Sequence, residues 1–430
     1  MKRHLTEGER TRREVMIRFV RSFADGTLAE TIDTLPETTA GNVAKRSDRI
    51  APSDDSPLLS GHCADASFPA VVRHRILALM GFSYESEADK NRPLHDYLQE
   101  ALASDAKPDF PLTVCGLACC RCLDNASPPI PHVPCQTVCP VGALRKTKDG
   151  VMTIHQKTCI LCGKCFLHCP FATIMERSEL LKVMQAIAAG RQVIALVAPS
   201  AEAQFPGTVE QLFTAIHRAG FADVMEVALG AELTTEHEAK EFQQRILAGD
   251  TIMSSSCCTP HVEIVRRHVP AFRDKVSQTP SPMIFAGRLA REKYPDALNV
   301  FIGPCIAKRY EASNAPEIDR VITFEELGVL LSGYRIDILA QPPWPIPRPA
   351  AATARNFART CGVTEAMLQE LETDPAFLQI GFRLDSRYLD GIDRKTPAQL
   401  RQFADGTATG NFLEVMSCAG GCVNGPCSLN

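Results

Sequence analysis

The cysteines of this chain fall into patterns that suit iron and sulfur. Cys159-x-x-Cys162-x-x-Cys165-x-x-x-Cys169 is followed by Pro170. Ahead of it stand Cys119-x-x-Cys122, a spacer of twelve residues, and Cys135-x-x-x-Cys139 with Pro140. Three thiolates at the first pitch wrap one corner of a [4Fe–4S] cube, and the fourth, next to proline, reaches across to a second cube. The spacing assigns Cys119, Cys122, Cys135 and Cys169 to one cluster, and Cys159, Cys162, Cys165 and Cys139 to the other. Paired Cys-x-x-Cys elements also build zinc ribbons. The third cysteine in phase and the repeated Cys-Pro ending favour iron and sulfur. Cys115 and Cys120 are close enough in sequence to replace a ligand of the earlier series. Clusters this near one another conduct electrons, so the module reads as a wire.

A second set is dispersed. Ser254-Ser-Ser-Cys257-Cys258-Thr-Pro260, Gly303-Pro-Cys305-Ile-Ala-Lys308 and Glu414-Val-Met416-Ser-Cys418-Ala-Gly-Gly-Cys422-Val-Asn-Gly425 place five thiols on three segments. Glycines let the last segment pass close to something bulky and take φ > 0. One thiol of the adjacent pair, with Cys305, Cys418 and Cys422, makes a four-thiolate set that suits a third [4Fe–4S] cluster. The neighbour of a ligand cannot easily bind the same iron, which leaves it for other chemistry. Alone, the C-terminal pair would read equally well as inert thiols on a surface turn.

These loops need a scaffold. The chain has 430 residues, 45% hydrophobic and 22% charged, enough for two or three domains of an ordinary globular protein. The net charge of −4 gives no footprint for nucleic acid. No segment reaches the apolar length of a membrane span, and Arg12-Arg13 lacks the apolar run of an export signal. A cytoplasmic protein is expected, and there eighteen clustered cysteines point to metal rather than disulfides. Residues 1–109 read as mostly helical, with helices over 11–30 and 68–82, a polar loop over 38–60, and Cys63 without a role. Residues 110–177 form the ferredoxin-like α+β module. In residues 178–430 helical and strand patterns alternate: Leu180–Ala189, Gln192–Ala198, Thr208–Ala219, Val224–Leu229, Glu236–Ala248, Thr251–Met253 and Ala297–Ile302. That alternation predicts an α/β fold whose ligands gather at the ends of parallel or mixed strands.

The three dispersed segments resemble, in order, the signature loops of [FeFe]-hydrogenases. The likeness runs from about Val193 to Gly425, with the ferredoxin-like module where that family keeps accessory clusters. The stretches over 12–36 and 71–83 look like those of its bacterial monomeric branch, often called group B. The resemblance implies a two-lobed catalytic domain of sheets flanked by helices. It also implies that Cys258, Cys305, Cys418 and Cys422 hold a cube, with Cys422 bridging to a di-iron unit carrying CO, cyanide and azadithiolate, together the H-cluster. Cys257 would exchange protons with the azadithiolate amine through Glu238, Ser277 and Glu241, with Arg245 beyond. Lys308 would hold one cyanide, Pro199 and Ser200 the other, Met416 would lie near the bridging carbonyl, and Phe357 would shield the di-iron unit. Read without the family, Glu238, Glu241 and Arg245 form one face of a solvated, ion-paired helix. Lys308 reads as an exposed lysine at a helix start, and Met416 as core.

Departures from the family pattern are expected to alter rate and bias rather than the cofactor. Gly303 stands for a usual Met, which predicts looser packing. His261 replaces a Trp, Cys361 a glycine, and Pro426-Cys427 break a glycine run. The other histidines, including His168, read as structural. The implied activity is reversible H2 formation, with a ferredoxin-type carrier, H2 and protons as partners and maturation proteins supplying the di-iron unit. Two alternatives share the pattern. One is an H2 sensor of slow turnover. The other is an Fe–S assembly scaffold that keeps the cube without the di-iron unit.

Overall fold

The computed structural model describes residues 5–47, 68–83, 91–116, 133–148, 152–169, 172–380 and 383–429. Cys63, Cys119, Cys120, Cys122 and Pro170 lie outside the described residues. The first helix, Glu7–Ala24, starts at a capping box in which Thr6 and Glu9 satisfy each other's backbone N–H groups. Its apolar face (Val15, Met16, Phe19, Val20) is fully buried. The expected loop over 38–60 is corrected in part: Leu35–Ser47 is a helix. Its polar residues misled because they serve the helix itself, Thr38 Oγ1 donating to Thr34 O and Asn42 Nδ2 to Thr38 O. Helices Phe68–Leu79 and Leu94–Ala103 complete this region.

The cysteine-rich region is built from short pieces. Strands β1 (Leu112–Val114) and β4 (Ile174–Glu176) pair antiparallel, as do β2 (Leu144–Lys146) and β3 (Met152–Ile154). One-turn helices at Pro134–Thr137 and Lys164–Leu167 carry Cys135 and Cys165.

The rest is α/β. Its strands are β5 (Val193–Val197), β6 (Asp223–Glu226), β7 (Met253–Ser254), β8 (Leu298–Gly303), β9 (Arg320–Thr323), β10 (Ser386–Asp390) and β11 (Phe412–Met416). They make a four-stranded sheet ordered β6-β5-β8-β9 and a three-stranded sheet ordered β10-β11-β7, all pairs parallel. β5 and β8 are buried along their whole length, as a parallel sheet covered on both faces demands. β6 ends at Glu226, three residues short of the expected strand, because the next helix, Ala228–Leu247, already starts there. That helix begins eight residues before Glu236, since Gly230 lets it press onto the Pro282–Lys293 helix. A Cβ there would lie 2.1 Å from Pro282 O.

Buried ion pairs tie the regions together. Arg12 pairs with Glu325, and Arg309 with both Glu176 and Glu326. Arg12 also stands 4.3 Å over the Phe166 ring, beside Cys165. Among the described residues, no helix is long and apolar enough to cross a membrane.

Candidate active site

Strand ends deliver the dispersed cysteines. β7 leads into Cys257-Cys258, β8 into Pro304-Cys305 and β11 into Cys418, the edge where parallel sheets bind ligands. Backbone contacts lock these loops together. Ser417 N–H donates to Cys258 Sγ at 3.4 Å, and Cys427 N–H donates to Pro304 O at 3.0 Å. Gly421 has φ +95° and lies so close to the Asn356–Ala358 turn that a Cβ would be 2.5 Å from Ala358 O. Only glycine fits that turn.

The four thiols of Cys258, Cys305, Cys418 and Cys422 are near enough to perturb one another. Burial first, then Cys305, Cys422 and Cys258, pushes the Cys418 thiol well above its ordinary range. Cys422 is pushed up to about 12 and Cys258 to about 11, again by burial before neighbouring thiolates. Such thiols stay protonated until iron displaces their protons. No three Cys, His, Asp or Glu side chains among the described residues close on one point as around a single ion. Cube ligands are spread wider, each on its own iron. The surroundings suit a polar group as well. The hydroxyls of Ser200, 1% exposed, and Ser417, 3% exposed, have no hydrogen-bond partner among the described residues. Ser200 follows β5 in the short Pro199–Ala201 turn. Met416 and Phe357 are buried in one apolar cluster, with Cys257 and Cys422 packed against it.

Beside the four lies Cys257, its thiol pushed well up by burial and then by Glu238. Glu238 is fully buried, accepts Ser256 N–H at 3.3 Å on Oε1, and has no partner for Oε2 among the described residues. Burial raises its carboxyl to about 8, against an opposing pull from Ser277. One turn on, Glu241 accepts from Ser277 Oγ and Thr279 Oγ1, each at 2.8 Å, and from the N–H groups of Gln278 and Thr279. Arg245 closes an ion pair with it at 2.7 Å. Burial works to raise the Glu241 carboxyl, and these bonds together bring it below the ordinary range. The helix face is therefore graded. Glu238 is enclosed and protonated near neutrality, while Glu241 is half-buried and ionised, which corrects the reading of a wholly solvated surface.

Lys308 is half-buried, not an exposed lysine at a helix start. Its Nζ donates to Glu311 Oε2 at 2.7 Å and to Cys257 O at 3.1 Å. Burial alone would lower its pKa; the Glu311 carboxylate, by its charge and its hydrogen bond, raises it overall. The hydroxyls of Thr259 and Ser281 also donate to Glu311. Sequence reasoning missed Glu311, although its i, i+3 spacing from Lys308 was the available signal. The looser packing expected at Gly303 is not found. The Phe301 ring fills the space, 2.6 Å from where a Cβ would stand.

In the cysteine-rich module, the Cys165 thiol feels Cys162, Cys159 and Cys139, which brings the second expected set together. Of the first set, Cys135 and Cys169 are described and buried. Cys115 is buried, with His74 Nδ1 3.0 Å from its sulfur. His168 is exposed and bonds Lys164 O. Cys427 Sγ donates to Glu176, and Cys361 sits at a strained φ of +73°. His261 is fully buried on Ser254 Oγ at 3.0 Å, and burial drives its pKa down to about 3.

Comparison with known proteins covers both halves. Residues 127–180 match the LdpA Fe-S cluster-binding domain, and residues 191–426 match the iron only hydrogenase large subunit, C-terminal domain. The NADP-reducing hydrogenase subunit HndD of Solidesulfovibrio fructosivorans is 29% identical over 68% of this chain and 61% of its own length. A probable cytosolic Fe-S cluster assembly factor of Aedes aegypti is 23% identical over 66% of this chain and 73% of its own. The solved [FeFe]-hydrogenase HydA1 of Chlamydomonas reinhardtii aligns with a TM-score of 0.49 at 21% identity, over 58% of this chain and 84% of that one. The chain spans between half and two thirds of the length of its hydrogenase relatives. The match over 191–426 takes in more than half of the sequence and all three thiol loops, and through it the chain belongs to the family defined by the C-terminal domain of iron-only hydrogenase large subunits.

Proposed function

We propose that this protein is a cytoplasmic [FeFe]-hydrogenase that interconverts H2 with protons and electrons. Cys258, Cys305, Cys418 and Cys422 would hold the iron–sulfur part of an H-cluster. When bound, that group supplies the redox-active metal and an amine base for splitting or forming H2. The chain's own residues then do three things. Lys308, charged and pinned by Glu311, presents a fixed ammonium to an anionic ligand, and the unpartnered Ser200 hydroxyl offers a donor from the opposite loop. Burial of Met416 and Phe357 excludes water from the apolar side. Cys257 and Glu238 hold protons in the interior and hand them by way of Ser277 to Glu241 at the surface.

The feature that carries this reading is the arrangement of two carboxyls on one helix face: Glu238 enclosed under Ser256, where burial raises it to about 8, and Glu241 half-buried and held below its ordinary range by Ser277, Gln278, Thr279 and Arg245. Two carboxyls whose surroundings drive their affinities apart are how acid and base roles are divided. A scaffold protein would not need them, which weighs against the assembly-factor reading that the Aedes aegypti relative keeps in view. Electrons would enter through two [4Fe–4S] clusters, one on Cys139, Cys159, Cys162 and Cys165, the other on Cys119, Cys122, Cys135 and Cys169.

The test is hydrogen evolution from a reduced dye, on protein loaded with the synthetic di-iron unit, beside Cys257→Ala. Loss of a proton-transfer group predicts a drop of about 10²–10⁴-fold with the CO and cyanide infrared bands retained. Equal rates would remove Cys257 from the mechanism. Absence of those bands from the loaded wild type would favour the scaffold.

A further inference from the structure

Three buried carboxyls meet where the cysteine-rich module packs on the α/β region. Glu176 ends β4, and Glu325 and Glu326 open the helix Phe324–Gly333 that follows β9. Glu325 faces two guanidiniums, both of its oxygens accepting from Arg12 and one of them also from Arg13. Glu176 and Glu326 share a single one, Arg309 on the helix Ala307–Ser313. Glu326 has further strong donors in Ser178 Oγ and, at 2.6 Å, Thr323 N–H. To Arg309, Glu176 adds two weaker donors, Thr323 Oγ1 at 3.1 Å and Cys427 Sγ at 3.7 Å.

Two carboxylates on one cation leave a surplus negative charge in a dry interior, which a proton relieves. Glu176 is the less well bonded of the two, so the proton belongs there. Burial first, and then the charge of Glu326, push its carboxyl up against the pull of Arg309. The remaining groups around β4 are engaged elsewhere. Glu179 accepts Val321 N–H, His74 and Arg75 on the Phe68–Leu79 helix face Cys115, and Lys164 turns away to Ile392 O. β1, the strand paired with β4, is Leu-Thr-Val and brings no titratable side chain. The site also lies beside accessory thiols. Arg12, which feels both Glu176 and Cys427, stands over the Phe166 ring next to Cys165. Cys427 shares one apolar cluster with Cys139, Cys159, Cys165 and Phe166. An electron placed on iron there adds negative charge to the same poorly screened interior.

Building on the proposed redox module, we infer that Glu176 takes up a proton when the cluster held by Cys139, Cys159, Cys162 and Cys165 is reduced. The cluster gains one electron from its carrier and Glu176 gains one proton from solvent, so the interior gains no net charge. Oxidation of the cluster releases both. The coupling is reciprocal: the added electron tightens the hold of the carboxyl on its proton, and the proton eases reduction by the same factor. Glu176 acts through the cluster and is a positioning residue, setting the potential at which the wire conducts.

The experiment uses the full chain loaded with iron–sulfur clusters and no di-iron unit, so H2 turnover does not enter. Redox titrations from about pH 5 to about pH 9 follow the cluster by EPR, its signal identified by the change that Cys162→Ser causes. In the wild type the equilibrium constant for reduction should fall by up to about tenfold per pH unit, about 59 mV for one electron, between two flat limbs. Glu176→Gln should abolish the slope and hold the potential at the acid limb of the wild type, because the amide is as neutral as the protonated acid. Glu326→Gln should move the slope toward acid, since Glu176 then has Arg309 to itself. Infrared difference spectra between the reduced and oxidised forms should gain a protonated-carboxyl band that Glu176→Gln lacks. Equal iron content checks the fold of each variant. A wild-type potential independent of pH, or a slope that survives Glu176→Gln, would overturn the inference and leave the proposed cluster standing. A chain that assembles no cluster on those four cysteines would overturn both.

Discussion

Glu238→Gln tests the central carboxyl without relying on any bound group. Burial carries this side chain from an ordinary 4.5 to about 8, and each pH unit of that displacement is worth about 1.4 kcal/mol, or about 5 kcal/mol in all. The sign follows from proton counting. Between the two values the folded chain keeps the proton and the unfolded chain has lost it, so stability is full below the unfolded value and falls as pH rises toward the folded one. Glutamine keeps the shape and the acceptor for Ser256 N–H but does not titrate. The variant should therefore gain on the wild type steadily from about pH 5 to about pH 8, approaching about 5 kcal/mol, whatever constant penalty its amide adds. Anaerobic calorimetric unfolding across that range reads the slope. The infrared carbonyl band of a protonated carboxylic acid, present in wild type at neutral pH and lost in the variant, reads the proton directly. Parallel stability curves, with no such band, would mean that Glu238 is ionised at neutral pH and would remove the basis for its relay role.

Three further outcomes are expected. Arg309→Met leaves Glu176 and Glu326 buried and unpaired, and should destabilise by about 3–5 kcal/mol in denaturant unfolding. Glu311→Gln removes the carboxylate from Lys308 and should lower dye-driven H2 evolution about tenfold or more; because the shift of Lys308 then reverses, the loss should grow toward alkaline pH. Gly163→Val drives a side chain into Pro426 and should separate the two thiol sites, read as reduced iron per chain with unchanged expression.

Candidate ligands were legible where chemistry imposes strict spacing, and their position was not. The run from Cys159 to Cys169 is diagnostic because one cube fixes the pitch of its thiolates. Strands β5 and β8 were legible for a similar reason, since a strand buried on both faces must be apolar throughout. Helix Leu35–Ser47 was missed because its threonines and asparagine bond backward along their own helix, using the same groups that mark a loop elsewhere. The early start of the Ala228–Leu247 helix was missed because its first turns are small residues chosen for contact with another helix. Gly303 teaches the converse. A missing side chain suggested a void, yet Phe301, two residues back on the same strand, supplies the volume from a direction that no linear pattern reveals. The burial of Lys308 and Glu238 belongs to the same class, because a charged residue on a helix reads as solvated until the loops that cover it are placed. The first cysteine segment is one of those covering loops, giving Ser256 N–H to Glu238 and Cys257 O to Lys308. The same convergence that gathers the thiols also dries the carboxyl and the ammonium, so a substitution that loosens one loop should weaken iron binding and lower the affinity of Glu238 for its proton together.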